Sequence, residues 1–257
     1  MTSDRTAAGP AAARLRRANA VAALLHLGQA VLVVILATGF ALPVTATYLQ
    51  GPPGTPARDP VVLFDIPTGA AVAAFLALSA LAHTLVGTVW WRRYLADLDR
   101  NRNPARWVEY SLSSSLMIVL IAQLVGISDV AALVALFGVN ASMILFGWLQ
   151  ERYEEPGTSG WLPFVFGCLA GIVPWLAISV YLLSPGSTSS ATPPGFVYAI
   201  FVSLFAFFNV FALNQWLQYR ARGRWRNYLF GERIYLLLSL TAKSALAWQV
   251  CAGTLAG

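Results

Sequence analysis

Lys243 is the only lysine among 17 basic residues, and it stands inside an apolar run, SLTAKSALAWQV (239–250). If the last apolar segment begins at Tyr228, Lys243 lies fifteen residues in, about 22 Å along a helix. An ammonium at that depth in hydrocarbon costs at least ~2.5–3.5 kcal/mol, so an intramembrane lysine asks for a function. Two kinds of chemistry fit it. A desolvated lysine amine can condense with an aldehyde to form a Schiff base, which arginine cannot do. Alternatively the ammonium pairs with an acid and holds two helices together.

The same partner serves both readings. Of the eleven acids, ten are read in tails, loops or helix ends. Only Glu109, in RWVEYSLSSS, follows the start of an apolar segment and points inward. A buried cation needs such a counterion. Glu109 stands just three residues after Arg106, so its depth requires the helix to begin near Pro104, with Arg106 drawn beneath the site. Further polar residues fall at helical spacing: Ser239 four before Lys243, Ser113 four after Glu109, His26 and Gln29 three apart, Ser79 and His83 four apart. Each histidine alone reads as a packed, hydrogen-bonded core residue. Two beside one glutamate and one lysine read as a shared network able to take or lend a proton near neutral pH.

These residues must be held by membrane-spanning elements. The 257 residues are 58% hydrophobic and 11% charged, far from the ~25% charged of soluble domains. Seven apolar stretches, 18–40, 67–91, 107–127, 130–149, 162–183, 195–217 and 228–255, are each long enough to cross about 30 Å of hydrocarbon as a helix. The class is an all-α polytopic membrane protein, read as one domain over 1–257 with no internal repeat. The first stretch exceeds a signal-peptide core and carries His26 and Gln29. Arginine sets the orientation. With residues 1–17 as a tail, fifteen of sixteen arginines fall on one side of this topology and only Arg58 on the other. The positive-inside rule then puts the N-terminus in the cytoplasm and the C-terminus outside, in the cell membrane.

The outer loop, 41–66, places PVTATYL and PVVLFDI around QGPPGTPARD. It reads as a β-hairpin, either a lid over the helix ends or a dimer contact. Cys168 and Cys251 fall in opposite leaflets and are not expected to pair. The loop RARGRWRNYLFGER, with Trp225, reads as an anchor to anionic lipid or as a docking face for a cytoplasmic protein. No nucleophile–base pair or metal cluster is evident, so neither an enzyme nor a metal site is expected, and no nucleic-acid partner.

Much of the chain resembles the heliorhodopsins, seven-helix retinal proteins related to microbial rhodopsins. The likeness is carried by FALPVTATYLQGPPGT, RWVEYSLSSSLMIVLIAQ, LFGVNASMILFGWLQE, PFVFGCLAGIVPW, PGFVY and LTAKSALAWQ. The resemblance implies a rhodopsin-like bundle of inverted topology, with all-trans retinal on Lys243 as a protonated Schiff base and Glu109 as counterion. It implies a polar network of His26, Gln29, Ser79, His83 and Ser239. It also implies a pocket including Tyr110, Asn140, Met143, Trp175, Phe208 and Trp248; aromatics and a soft methionine suit a polyene. Related proton pumps carry a second carboxyl eleven residues after the counterion, where this chain has Leu120. The expected function is light sensing through isomerisation to 13-cis and transient Schiff-base deprotonation. Signalling is expected rather than pumping, in a homodimer and through an unidentified cytoplasmic partner. A light-gated ion or proton conductor is the alternative, and a retinal-free scaffold or transporter the third reading.

Overall fold

The computed structural model describes residues 10–56, 59–158, 160–184 and 192–255. Arg5 and Arg58, both used in the orientation argument, lie outside them. Eight helices and one hairpin follow in the order α1 (Pro10–Leu36), β1 (Ala41–Ala46), β2 (Val61–Pro67), α2 (Thr68–Gly87), α3 (Trp91–Asp99), α4 (Pro104–Leu124), α5 (Val130–Tyr153), α6 (Leu162–Leu183), α7 (Gly195–Tyr219) and α8 (Tyr228–Leu255). Seven of the helices, all but α3, are long and apolar enough to cross a membrane. Each of the seven matches one expected stretch, with four main adjustments, one of them α4, which starts and ends three residues before 107–127. The first helix starts and ends earlier than 18–40. The second stops at Gly87, and the residues after it form α3, a nine-residue helix whose Tyr94, Leu95 and Leu98 are buried. The fourth runs on past Leu149 to Tyr153.

The spanning helices pack in a ring. α1 lies on α2, α2 on α4, α4 on α5, α5 on α6, α6 on α7, α7 on α8, and α8 closes against α1. Local chemistry sets the turns that matter for the site. Asn103 caps α4, its side chain accepting from the Arg106 N–H at 3.1 Å, and Pro104 fills the first helical position, where a missing N–H costs nothing. The Asp129 carboxylate caps α5, accepting from Ala131 and Ala132 at 2.9 and 3.3 Å. Helix α4 therefore does begin at Pro104, the condition that the depth of Glu109 required.

One half of the bundle interior is apolar. Val33, Val72, Phe75, Leu76, Ile118, Leu120, Ile121, Leu246 and Val250 belong to one buried core. The hairpin seals that end. Its strands pair antiparallel with Val44 opposite Phe64 and an irregularity after Val44. Strand β1 is buried over Val44–Ala46 and tied to the α4–α5 turn, Thr45 N–H donating to the Ser128 carbonyl at 2.8 Å. Strand β2 is exposed, presenting Val61, Val62, Leu63 and Phe64. The lid reading thus describes β1. At the opposite end, where the arginines gather, Arg220 lies over Trp161 and Trp216. Trp225 turns back onto the bundle: its indole N–H donates to Asn214 Oδ1 at 2.8 Å, and its ring meets Phe230 edge-on. It is therefore less free for docking than the sequence suggested. The two cysteines are unpaired, Cys168 exposed and Cys251 buried.

Candidate functional site

Lys243 points into the ring from α8 and is 3% exposed. Its Nζ donates to Glu109 Oε1 on α4 and to Ser79 Oγ on α2, both at 2.6 Å. The Ser79 hydroxyl has one proton to give, to Glu109 Oε1 at 2.6 Å or to the Phe75 carbonyl at 3.1 Å. Three helices meet at one charge pair, and the hydrogen bonds are charge-assisted and short. The Tyr110 ring stands 5.1 Å from Nζ, and its hydroxyl donates to the Tyr235 carbonyl at 2.9 Å. Ser113 and Ser239 stand beside Glu109 and Tyr110 without closing hydrogen bonds of good geometry.

The two histidines do come together. Their rings stack at 5.7 Å, nearly parallel, and both lie within electrostatic reach of Lys243 and Glu109. His83 Nδ1 bonds Asn19 Oδ1 at 2.8 Å, a partner not anticipated from the sequence. His26 is fully buried with no hydrogen-bond partner at either ring nitrogen, and the Gln29 side-chain oxygen has none either. His26 therefore stands in the lysine site, stacked on His83 and within reach of two charges.

On its other side Lys243 opens onto a cavity of about 180 Å³ between α4, α5, α6, α7 and α8. Met143, Trp175, Phe208 and Tyr110 line it, and so does Ser239, which the resemblance had placed in the polar network. Trp175 is buried and met edge-on by Phe201, Phe205 and Phe208 at 5.3–5.6 Å. Asn140 does not line the cavity: it lies behind the wall, tying α5 to α4 by donating to Ser114 and Ser115 at 2.9 and 3.0 Å. Trp248 is a clearer correction. It is 39% exposed and outside the lining, because five residues past Lys243 turn it about 140° away around the helix.

A second correction concerns the acids. Glu109 is not alone inside: Glu151 and Glu232 are each 4% exposed and share Arg106, itself 7% exposed. Arg106 Nη2 lies 2.7 Å from Glu151 Oε1, and Nη1 pairs with Glu232. Glu151 also accepts from the Asn103 N–H (2.8 Å), the Trp107 indole (2.6 Å) and the Tyr228 hydroxyl (2.8 Å). Asn103 Nδ2 donates to Glu232 at 2.7 Å. A small cavity of about 50 Å³, lined by Glu109, His83, Asn19, Arg106 and Glu232 among others, joins this cluster to the lysine site. It has room for water and polar side chains in its wall to hold it. The sequence did hold a signal: Glu232 precedes Lys243 by eleven residues, three helical turns, and Glu151 follows Asn140 by the same interval.

These features suit a long apolar aldehyde. The amine that would take it abuts a carboxylate on one side, and an aromatic-walled cavity receives the chain on the other. A seven-helix membrane bundle with this lysine–carboxylate pair and cavity is a protein of the rhodopsin class.

The family model described as Heliorhodopsin matches residues 15–255, nearly the whole chain, and the chain belongs to that family. No curated protein matches it. Membership makes it a retinal-binding, light-sensing membrane protein that crosses the bilayer several times, of a photoreceptor family rather than one of classical enzymes.

Proposed function

We propose that the chain is a photoreceptor that signals rather than pumps, with retinal covalently on Lys243, Glu109 as counterion, the N-terminus cytoplasmic and the C-terminus extracellular. The observation that carries this is the Lys243–Glu109 pair at 2.6 Å, with the buried carboxylates and histidines among the described residues on its arginine-rich side. Bound there, all-trans retinal supplies absorption of visible light, isomerisation to 13-cis, and a linkage proton that is released and regained.

The chain's own residues do the rest. Glu109 balances the positive charge at Nζ, and Ser79 holds Oε1 in place. A proton leaving that nitrogen meets Glu109 first and the His83–His26 stack behind it. His83 Nδ1 is engaged by Asn19, which leaves the other ring nitrogen for the proton. Toward the hairpin end there is no comparable group among the described residues: Leu120, Ile118, Ile121, Leu246 and Val250 pack as apolar core. A pump needs relay groups on both sides of the lysine, and this interior supplies them on one. The exposed apolar strand β2 supports a homodimer, and the arginine-rich face supports contact with a cytoplasmic partner.

Purified chain mixed with all-trans retinal is expected to develop a visible band that bleaches and recovers after a flash, while patched cells show no steady photocurrent. A steady photocurrent would favour the conductor instead. Glu109→Gln removes the charge that favours a protonated linkage, so its band is expected to move largely into the near ultraviolet at neutral pH. A Glu109→Gln band left at the native position would remove Glu109 from the counterion role.

A further inference from the structure

The cavity and the buried ion cluster share a wall. Trp107 and Tyr235 both line the cavity, and the Arg106 guanidinium of the cluster lies over both rings, 4.4 and 4.0 Å from their centres. Trp107 does more than stack, since its indole N–H donates to Glu151 Oε2 at 2.6 Å. The benzenoid edge of the ring meets α5 at Gly147, itself part of the cavity wall, where a Cβ would lie only 2.6 Å from the indole. Glycine lets the helix close on the ring and leaves the ring no slack in that direction. With Gly147 at its edge and Arg106 over its ring, the indole has little room to yield to a push from the cavity. Such a push must tilt the indole and bend or lengthen its bond to Glu151.

What Glu151 holds makes that bond consequential. Its carboxylate gathers the residue that caps α4 (Asn103), the first turn of α4 (Arg106, Trp107) and the first residue of α8 (Tyr228). Through Arg106 and Asn103 it is joined to Glu232 on α8. All these residues sit where the helices emerge at the arginine-rich face, next to the loops 100–103 and 220–227. Buried networks of this kind settle into discrete arrangements rather than deforming smoothly.

We propose that Trp107 is a positioning residue that transmits the shape of the cavity's contents to Glu151, and through the Glu151–Arg106–Glu232 cluster to the arginine-rich face. This rests on the reading that the cavity holds the retinal, and it gives that reading an output. The lysine pair starts the event, and the indole reports it.

Peptide-level hydrogen–deuterium exchange over 99–104 and 222–230 tests the proposal, on the full chain with and without all-trans retinal and with and without light. In the native chain exchange there is expected to slow several-fold when retinal binds and to rise again under illumination. Trp107→Phe keeps an aromatic wall but loses the N–H. It is expected to form the visible band, to exchange faster than native in the retinal-free state, and to respond to neither retinal nor light at these segments. A Trp107→Phe chain whose segments respond as the native ones do overturns the proposal alone. A native chain that forms no band overturns the retinal reading and this proposal with it. If Trp107→Phe forms no band, Glu151→Gln decides, since it leaves the wall intact and removes the carboxylate: loss of the response supports the relay, and an unchanged response overturns it.

Discussion

Lys243→Ala is expected to bind no retinal covalently and to show no visible band under conditions where the native chain does. The loss should be complete rather than partial, because Lys243 is the only lysine in the chain. The change also leaves Glu109 buried without its cation. A lone carboxylate there is far too costly to stay charged, so it is expected to take a proton and keep Ser79 as its remaining partner. The fold should survive this, since a neutral carboxyl with one hydrogen bond is tolerable where an uncompensated charge is not. A rescue sharpens the test. Truncation at Cβ leaves room for a preformed imine of retinal with a small alkylamine, whose nitrogen can stand where Nζ stood. A restored visible band with that imine, absent with retinal alone, would show that cavity and carboxylate still work once the nitrogen is returned. A visible band in Lys243→Ala with retinal alone would refute the covalent site, and the lysine would revert to a structural partner of Glu109.

How much of this could be read beforehand differs by residue. Lys243 and Glu109 were legible because a charge inside an apolar run is costly, and a cost of that kind has few explanations. The seven spans were legible for the same reason, as was the hairpin, whose two β-prone runs flank a Gly/Pro-rich turn. α3 was not. WRRYLADLD buries Tyr94, Leu95 and Leu98, but nine residues carry too little periodicity to separate a short helix from a loop. Glu151 and Glu232 were missed because an acid one turn inside a helix end can snorkel to water or turn inward with the same sequence; only the eleven-residue intervals told them apart. The pocket shows the limit of resemblance without a helical wheel. Trp248 and Asn140 were assigned by kind, yet the angle from Lys243 puts the first outside, and contact with Ser114 and Ser115 draws the second behind the wall. Trp107 and Tyr235 were not assigned, although both lie within one or two turns of Glu109 or Ser239. Their role depends on the cavity and the buried ion cluster sharing a wall, and only the packed bundle reveals that.

The stability of the bundle is expected to depend more on Arg106 than on any other polar residue. Its guanidinium is the only cation contacting Glu151 and Glu232 among the described residues, and all three are nearly inaccessible. Arg106→Ala leaves two buried carboxylates. Glu151 keeps the indole, the Asn103 N–H and the Tyr228 hydroxyl, whereas Glu232 keeps only Asn103. Removing one partner from a buried ion network typically costs ~3–5 kcal/mol, to which the stacking on Trp107 and Tyr235 adds ~1–2 kcal/mol each if desolvated. Lysine should not substitute well, because a point charge cannot bridge two carboxylates and stack on two rings at once. The cause can be separated from the loss of packing. If uncompensated charge dominates, Glu232→Gln should recover part of the stability in the Arg106→Ala background while destabilising the native chain. That reversal of sign is the mark of coupling in a double-mutant cycle. Unfolding of the four chains in one detergent, followed by loss of helical signal, measures it. An Arg106→Ala chain within ~0.5 kcal/mol of native, the range of a neutral surface change, would mean that the cluster does not hold the helix ends together. The route from Trp107 to the arginine-rich face would then lack a rigid element to act on.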